Sequence, residues 1–253
     1  MKNFLKVVCI VAAGVLAAIP AQAVLITNDT FSYADGDLNI VSSEIWSNFS
    51  GTTALSNING QAFVTGTRSK DDQLRFGGNH SNDVLFVCFD WIPTALAGSA
   101  GGAYFSLFKD DSTFNFLGRT MVTNDVGGTV RIGIANQASA ASTAGVAFWA
   151  STTTLGTTNT VVVRLDQTGA SPSATLWLNP LNEFSTSITA TDIGTNRSIQ
   201  AWALRQSNAQ QGGAFIDNVH IATTFGECIP EPSTYVLVGA GLVGLLALRR
   251  RRS

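Results

Sequence analysis

The sequence predicts an all-β fold: an antiparallel β-sandwich framed by an N-terminal signal helix and a C-terminal transmembrane helix. Three observations carry that prediction. Through the middle of the chain apolar residues recur at a period of two, as in Val130-Arg131-Ile132-Gly133-Ile134. That is the spacing of a strand with one buried face. Clusters of Gly, Asn, Ser, Thr and Asp, such as Asn124-Asp125-Val126-Gly127-Gly128, separate these runs and supply the turns. Sustained 3.6-residue periodicity with helix caps is missing from the core. The 253 residues are 45% hydrophobic and 13% charged, with a formal net charge of −2. A disordered chain would be poorer in apolar residues and richer in charge, and a polytopic membrane protein would carry several long apolar spans.

In chain order, residues 1–23 form a signal peptide. Lys2 and Lys6 precede an apolar run from Val7 to Ile19, which leads to Ala21-Gln22-Ala23. Small residues at Ala21 and Ala23 fit the −3 and −1 pockets of signal peptidase and place cleavage after Ala23. Residues 24–226 form the sandwich domain. Its strands are expected at Gln61–Gly66, Val84–Trp91, Ala103–Lys109, Phe116–Thr123, around Val130–Ile134, and at Gly145–Ala150. Further runs lie around Val161–Leu165 and Thr175–Asn179, then at Ser198–Gln206 and Gly213–Ile221. Val84–Trp91 is apolar on both faces, which suits a central strand between two covered layers.

Residues 227–234 form a linker containing Pro230-Glu231-Pro232, and 235–253 form the C-terminal helix and tail. Tyr235 to Leu248 is apolar or glycine throughout, followed by Arg249, Arg250, Arg251 and Arg252. Fourteen helical residues reach roughly 21 Å against a hydrocarbon core of about 30 Å, so the span is short and depends on snorkelling arginines. The arginine cluster puts the chain end in the cytoplasm and everything upstream outside, the topology the signal peptide also demands.

The charge changes once the ends are set aside. Residues 24–228 hold nine basic and sixteen acidic residues, a net −7. Bulk charge therefore argues against polyanions, no nucleic-acid partner is expected, and neutral glycans stay open.

Candidate chemistry is sparse. Glu44 and Glu183 are the only glutamates of the core ahead of its C-terminal end, and neither has an acidic residue two positions away. A same-face carboxylate pair for glycoside hydrolysis is therefore missing. Asp71-Asp72 and Asp110-Asp111 read as solvated turn residues. His80 and His220 have no metal-ligand spacing around them. No catalytic residue and no metal ligand is assigned. Calcium is the one ion left open, through Asp29 on the first strand and Asp217 with Asn218 on the last. Trp177 lies opposite the aliphatic face of its strand, where an exposed indole would stack on sugar rings; burial is the expectation for each of the five tryptophans. Cys88 and Cys228 remain after signal cleavage, an even pair that permits one disulfide in an oxidising compartment.

The last 24 residues resemble the PEP-CTERM sorting signal: Pro230-Glu231-Pro232, an apolar helix and a basic cluster, in that order at the chain end. The resemblance implies a bacterium with an exopolysaccharide system. It also implies an exosortase that recognises Pro230-Glu231-Pro232 and separates the protein from a transient inner-membrane anchor. The core is similar to concanavalin A-like (laminin G-like) jelly-roll domains. That likeness rests on Asp29–Leu38, on Thr160–Asp166 with Ala174–Pro180, and on Ile216–Phe225. Together these readings predict an exported cell-surface or extracellular protein. Its function is expected to be a non-catalytic adhesive or glycan-associated module of the exopolysaccharide matrix. The alternative is a secreted glycoside hydrolase or polysaccharide lyase on the same fold.

Overall fold

The computed structural model describes residues 24–97, 103–206 and 211–229. The signal peptide with Ala21 and Ala23, the motif Pro230-Glu231-Pro232, the expected span at 235–248 and Arg249 to Arg252 lie outside the described residues. Among the described residues no helix is long and apolar enough to cross a membrane.

Strands follow one another along nearly the whole domain. The first eight are β1 (Leu25–Asp29), β2 (Gly36–Asp37), β3 (Trp46–Ser50), β4 (Ser56–Ile58), β5 (Gln61–Thr65), β6 (Asp71–His80), β7 (Val84–Ala95) and β8 (Ala103–Lys109). The next eight are β9 (Phe116–Asp125), β10 (Thr129–Ala135), β11 (Ala147–Phe148), β12 (Asn159–Asp166), β13 (Ser173–Leu178), β14 (Ile188–Thr189), β15 (Ile199–Leu204) and β16 (Gly213–Ala222). Two four-residue helices interrupt them, α1 (Leu38–Val41) and α2 (Phe225–Cys228). Each run marked by alternation contains a strand, although Gly145–Ala150 holds only the two-residue β11. The alternation pattern marks neither the short β2, β4 and β14 nor β1, β3 and β6, whose residues are mostly polar.

The strands form two antiparallel sheets. A nine-stranded sheet runs β14-β13-β12-β7-β16-β5-β4-β2 with β1 added to β16, and a seven-stranded sheet runs β11-β10-β9-β8-β15-β6-β3. Period-two alternation sends one face of each sheet inward. Leu85, Val87, Phe89 and Trp91 of β7 and Val161 and Val163 of β12 meet Phe105, Val122, Ile132 and Trp202 of the other sheet in one buried core. Phe89 packs against Trp202 at 5.3 Å between ring centroids, and Trp46 meets Trp202 edge-on at 6.1 Å.

β7 lies between β12 and β16, as its two-faced apolarity predicts. Its outward Phe86 and Cys88 join Val162 and Trp177 in a second cluster capped by α2. Phe225 of α2 lies 6.1 Å from Phe86 and 5.4 Å from Trp177. Cys228 is disulfide-bonded to Cys88 across 140 residues, with the Cα atoms 5.5 Å apart. The domain boundary expected at 226/227 thus falls inside α2, whose last residue is bonded to the central strand.

Candidate functional site

The outward face of the seven-stranded sheet collects three cations that have no carboxylate partner among the described residues. Register places them together. Ala201 of β15 is paired with Arg75 of β6 on one side and Lys109 of β8 on the other, so both side chains share its face. Ala203 is likewise paired with Gln73 and Leu107, and Ala135 of β10 with Arg119 of β9. Tyr104, Leu107, Phe116, Met121, Ala135 and Ala203 form the apolar floor of this face, partly covered by Phe49, Ala138, Val146 and Phe148.

On that floor cations stack on aromatic rings. The Arg119 guanidinium lies 4.5 Å from the Tyr104 ring centroid and 5.3 Å from that of Phe116. Arg205, just past β15, lies 4.2 Å from the same Tyr104 ring, and Lys109 Nζ lies 5.0 Å from the Phe49 ring. Lys109 Nζ also donates to the Asp110 carbonyl at 2.6 Å. Among the described residues none of Lys109, Arg119 and Arg205 has a carboxylate partner; the ion pairs there join Lys70–Asp37, Arg75–Asp111, His80–Asp83, Arg131–Asp125 and Arg164–Asp166.

Arg119 is only 7% exposed, and its Nε and Nη1 have no hydrogen-bond partner among the described residues. Burial holds the Arg119 guanidinium below its usual pKa, and burial followed by Arg75 does the same to Lys109. Gln73 is buried beside them, its Oε1 also without a partner. Cation–π contact offsets part of the desolvation of a guanidinium but supplies no acceptor for its N–H groups. Arg75 leads from this floor to an open groove of about 390 Å³ lined by Gly77, Gly78, Asn79 and Gln200. Lys109 and Arg119 are 2% and 7% exposed and Arg205 is half-buried, so an anionic group meets this face first at the Arg205 guanidinium.

Other expected residues fall elsewhere. Trp177 is 4% exposed, packed under α2, with its Nε1 donating to the Glu183 carbonyl at 3.2 Å. It presents no ring to a sugar. Asp29 accepts from Phe31 N at 2.7 Å, from the Tyr33 hydroxyl at 2.9 Å and from Trp46 Nε1, so it caps a sheet edge. Asp217 accepts from Asn218 N at 2.7 Å, and the Asn218 amide donates to Asp90 at 2.8 Å. Among the described residues no group of three or more His, Cys, Asp and Glu comes within metal-holding reach. Glu44 and Glu183 are both exposed.

Asp110 and Asp111 sit in the turn after β8, with Asp110 half-buried and Asp111 exposed. Asp71 and Asp72 do not: they open β6 and are 6% and 0% exposed. The solvated-turn reading fails because β6 brings its polar start between β3 and β15. Burial pushes Asp71 up to about 6 and Asp72 up to about 7. A carboxyl whose pKa is raised on folding binds its proton more tightly in the native state, so stability falls as pH rises between about 4 and 7. Asp72→Asn is therefore expected to stabilise the domain by roughly 1–3 kcal/mol at pH 8 and by nearly nothing at pH 4. Urea denaturation at the two pH values checks this.

Comparison with known proteins bears first on the chain end. Residues 229–252 match the model of the PEP-CTERM protein-sorting motif. The chain ends in a PEP-CTERM sorting signal. That match starts at Ile229, one residue beyond Cys228, which is bonded to the central strand. No curated protein matches the sequence. Among solved structures, the chain is similar to a mutant of the alginate lyase Aly36B in complex with alginate trisaccharide, at 14% identity. That match covers 82% of this chain and 100% of that one with a TM-score of 0.51. It confirms the jelly-roll sandwich. An endo-1,3-β-glucanase from Streptomyces sioyaensis matches at 15% identity over 81% and 98% of the two chains, TM-score 0.47. The Emp47p carbohydrate recognition domain matches at 10% over 82% and 99%, TM-score 0.44.

Proposed function

We propose that this exported PEP-CTERM protein is a non-catalytic, glycan-associated module of the exopolysaccharide matrix. Its ligand is an acidic polysaccharide engaged along the outer face of the seven-stranded sheet. One observation carries the reading: Arg119, Arg205 and Lys109 meet on one sheet face, stacked on Tyr104, Phe116 and Phe49 and without carboxylate partners among the described residues. A net charge of −7 over residues 24–228 does not describe that face. A solved structure of similar fold holds an alginate trisaccharide, which supports a uronate polymer as the first ligand to test. The direct test is a glycan array probed with the exported domain. Uronate polymers are expected to be bound over neutral glucans; binding to neutral glucans alone would contradict the proposal.

A polysaccharide lyase is the second reading, and one feature favours it. The Tyr104 ring, which bears a hydroxyl, lies against two guanidinium groups. β-Elimination from a uronate needs a base for the proton next to the carboxylate and a cation to hold the charge that develops. Ultraviolet absorbance of an unsaturated uronate product separates the readings, since pure binding generates none.

Export and sorting complete the proposal. Signal peptidase removes residues 1–23, and an exosortase acts at Pro230-Glu231-Pro232 while 235–253 holds the chain transiently in the inner membrane. Pro230→Ala combined with Glu231→Ala is expected to leave the protein membrane-bound and unprocessed. Unchanged release of that variant in cell fractionation would contradict the sorting step.

A further inference from the structure

The loop between β13 and β14 presents two large apolar side chains to solvent: Leu181 is 86% exposed and Phe184 is 96% exposed. The loop is a built turn. Leu181 N and Asn182 N both donate to Ser185 Oγ at 3.0 and 3.2 Å. Phe184 N donates to Asn182 Oδ1 at 3.0 Å, and Ser185 N to the Asn182 carbonyl at 3.1 Å. Trp177, buried under α2, holds the loop from below through the Glu183 carbonyl. Leu181 and Phe184 thus project from an ordered backbone turn, so docking them orders two side chains but not the loop, the arrangement of an interaction patch.

The patch adjoins the point where the chain leaves the domain. Leu181, Asn182, Glu183 and Phe184 share a cleft of about 190 Å³ with Phe225, Gly226 and Ile229. Cys228 is bonded to Cys88, so Ile229 leaves from a fixed position. Six residue-to-residue steps take the chain from Ile229 to Tyr235, the first residue of the apolar segment. Fully extended, they span about 20 Å. A bilayer that holds 235–248 therefore lies within reach of the face carrying Leu181 and Phe184.

We propose that Leu181 and Phe184 form a membrane-docking wedge that seats in the bilayer interface while the C-terminal segment is anchored. The inference rests on the sorting reading above. An aromatic and an aliphatic side chain on a rigid turn suit the headgroup–acyl boundary. Two side chains bind a bilayer weakly by themselves, and stable attachment takes a second anchor. The wedge would hold Pro230-Glu231-Pro232 close to the bilayer surface before cleavage. Once cleavage removes the second anchor, it would let the domain go.

The test uses the full chain, purified from membranes of a host without the processing enzyme and reconstituted in phosphatidylcholine vesicles with brominated acyl chains. Phe184→Trp adds an exposed indole. The control is Val126→Trp, at a site 86% exposed on the β9–β10 connection of the other sheet. Emission from the unsubstituted chain is subtracted in each case. The expected result is that brominated vesicles quench the added emission of the Phe184→Trp chain and leave that of the Val126→Trp chain unchanged. Equal quenching of both variants, or of neither while the chain stays in the vesicles, would overturn the docking wedge and leave the anchor standing. Shielding of the indole in Phe184→Trp by cross-linked dimers would assign the patch to a second copy and also overturn it. A chain that never enters the membrane fraction would overturn the sorting reading, and the wedge with it.

Discussion

Replacing both cysteines, Cys88→Ala with Cys228→Ala, is expected to destabilise the domain by roughly 2–5 kcal/mol and to lower Tm by about 10 °C. The bond closes a loop with a sequence separation of 140. Long loops lose the most conformational freedom when closed in the unfolded chain, so a cross-link of this length sits near the upper end of the range. Packing adds to it: Cys88 and Cys228 are 2% and 3% exposed, and the bond fastens Phe225 onto Phe86 and Trp177. Without it α2 has four residues and too little buried surface of its own to stay docked. Reductant should lower the Tm of the parent protein and leave the double variant unchanged. A loss below about 1 kcal/mol in urea denaturation would show that α2 docks without the bond.

Arg119→Met is expected to weaken binding of an acidic polysaccharide by about tenfold or more, while Tm stays level or rises. The opposite signs follow from one fact. Arg119 is 7% exposed with two guanidinium nitrogens unpartnered among the described residues, so the free protein carries a desolvated cation whose removal costs no hydrogen bond at those two atoms, while its charge adds to the field an anion meets at this face. Methionine keeps the length of the stem and its contact with Tyr104 and Phe116 without the charge. Arg205→Met, beside the same Tyr104 ring, is expected to act in the same direction with a smaller gain in stability, since Arg205 is only half-buried. Calorimetric unfolding together with binding isotherms separates the two effects. Loss of stability with unaltered binding would make Arg119 a packing residue.

The fold was legible where burial is one-sided or complete. β10, β12 and β13 show alternation because one face of each meets the core, and β7 shows none because α2 covers its other face. β6 was not legible. Its Asp71-Asp72-Gln73 start is polar, and only its place between β3 and β15 buries it. Trp177 has the outward position its strand suggests, but the cover comes from α2, about fifty residues further along the chain. The candidate site was hidden for a related reason. Lys109 and Arg119 are ordinary outward-facing charges within their own strands and Arg205 directly follows β15, and the order β9-β8-β15 alone brings them to one floor. Net charge pointed away from anions because it averages over the acidic turns. The sorting signal, by contrast, is contiguous, and a contiguous motif needs no fold to be seen.

The central claim is that an anionic glycan binds across Tyr104, Arg119 and Arg205. It is tested most directly by titrating the exported domain and its Arg119→Met variant with a uronate polymer and with a neutral glucan, at low and at high salt. The account predicts binding of the uronate polymer that weakens with salt and is largely lost in the variant, with little binding of the glucan. Equal affinity for both polymers, or full retention of uronate binding by Arg119→Met, would contradict it.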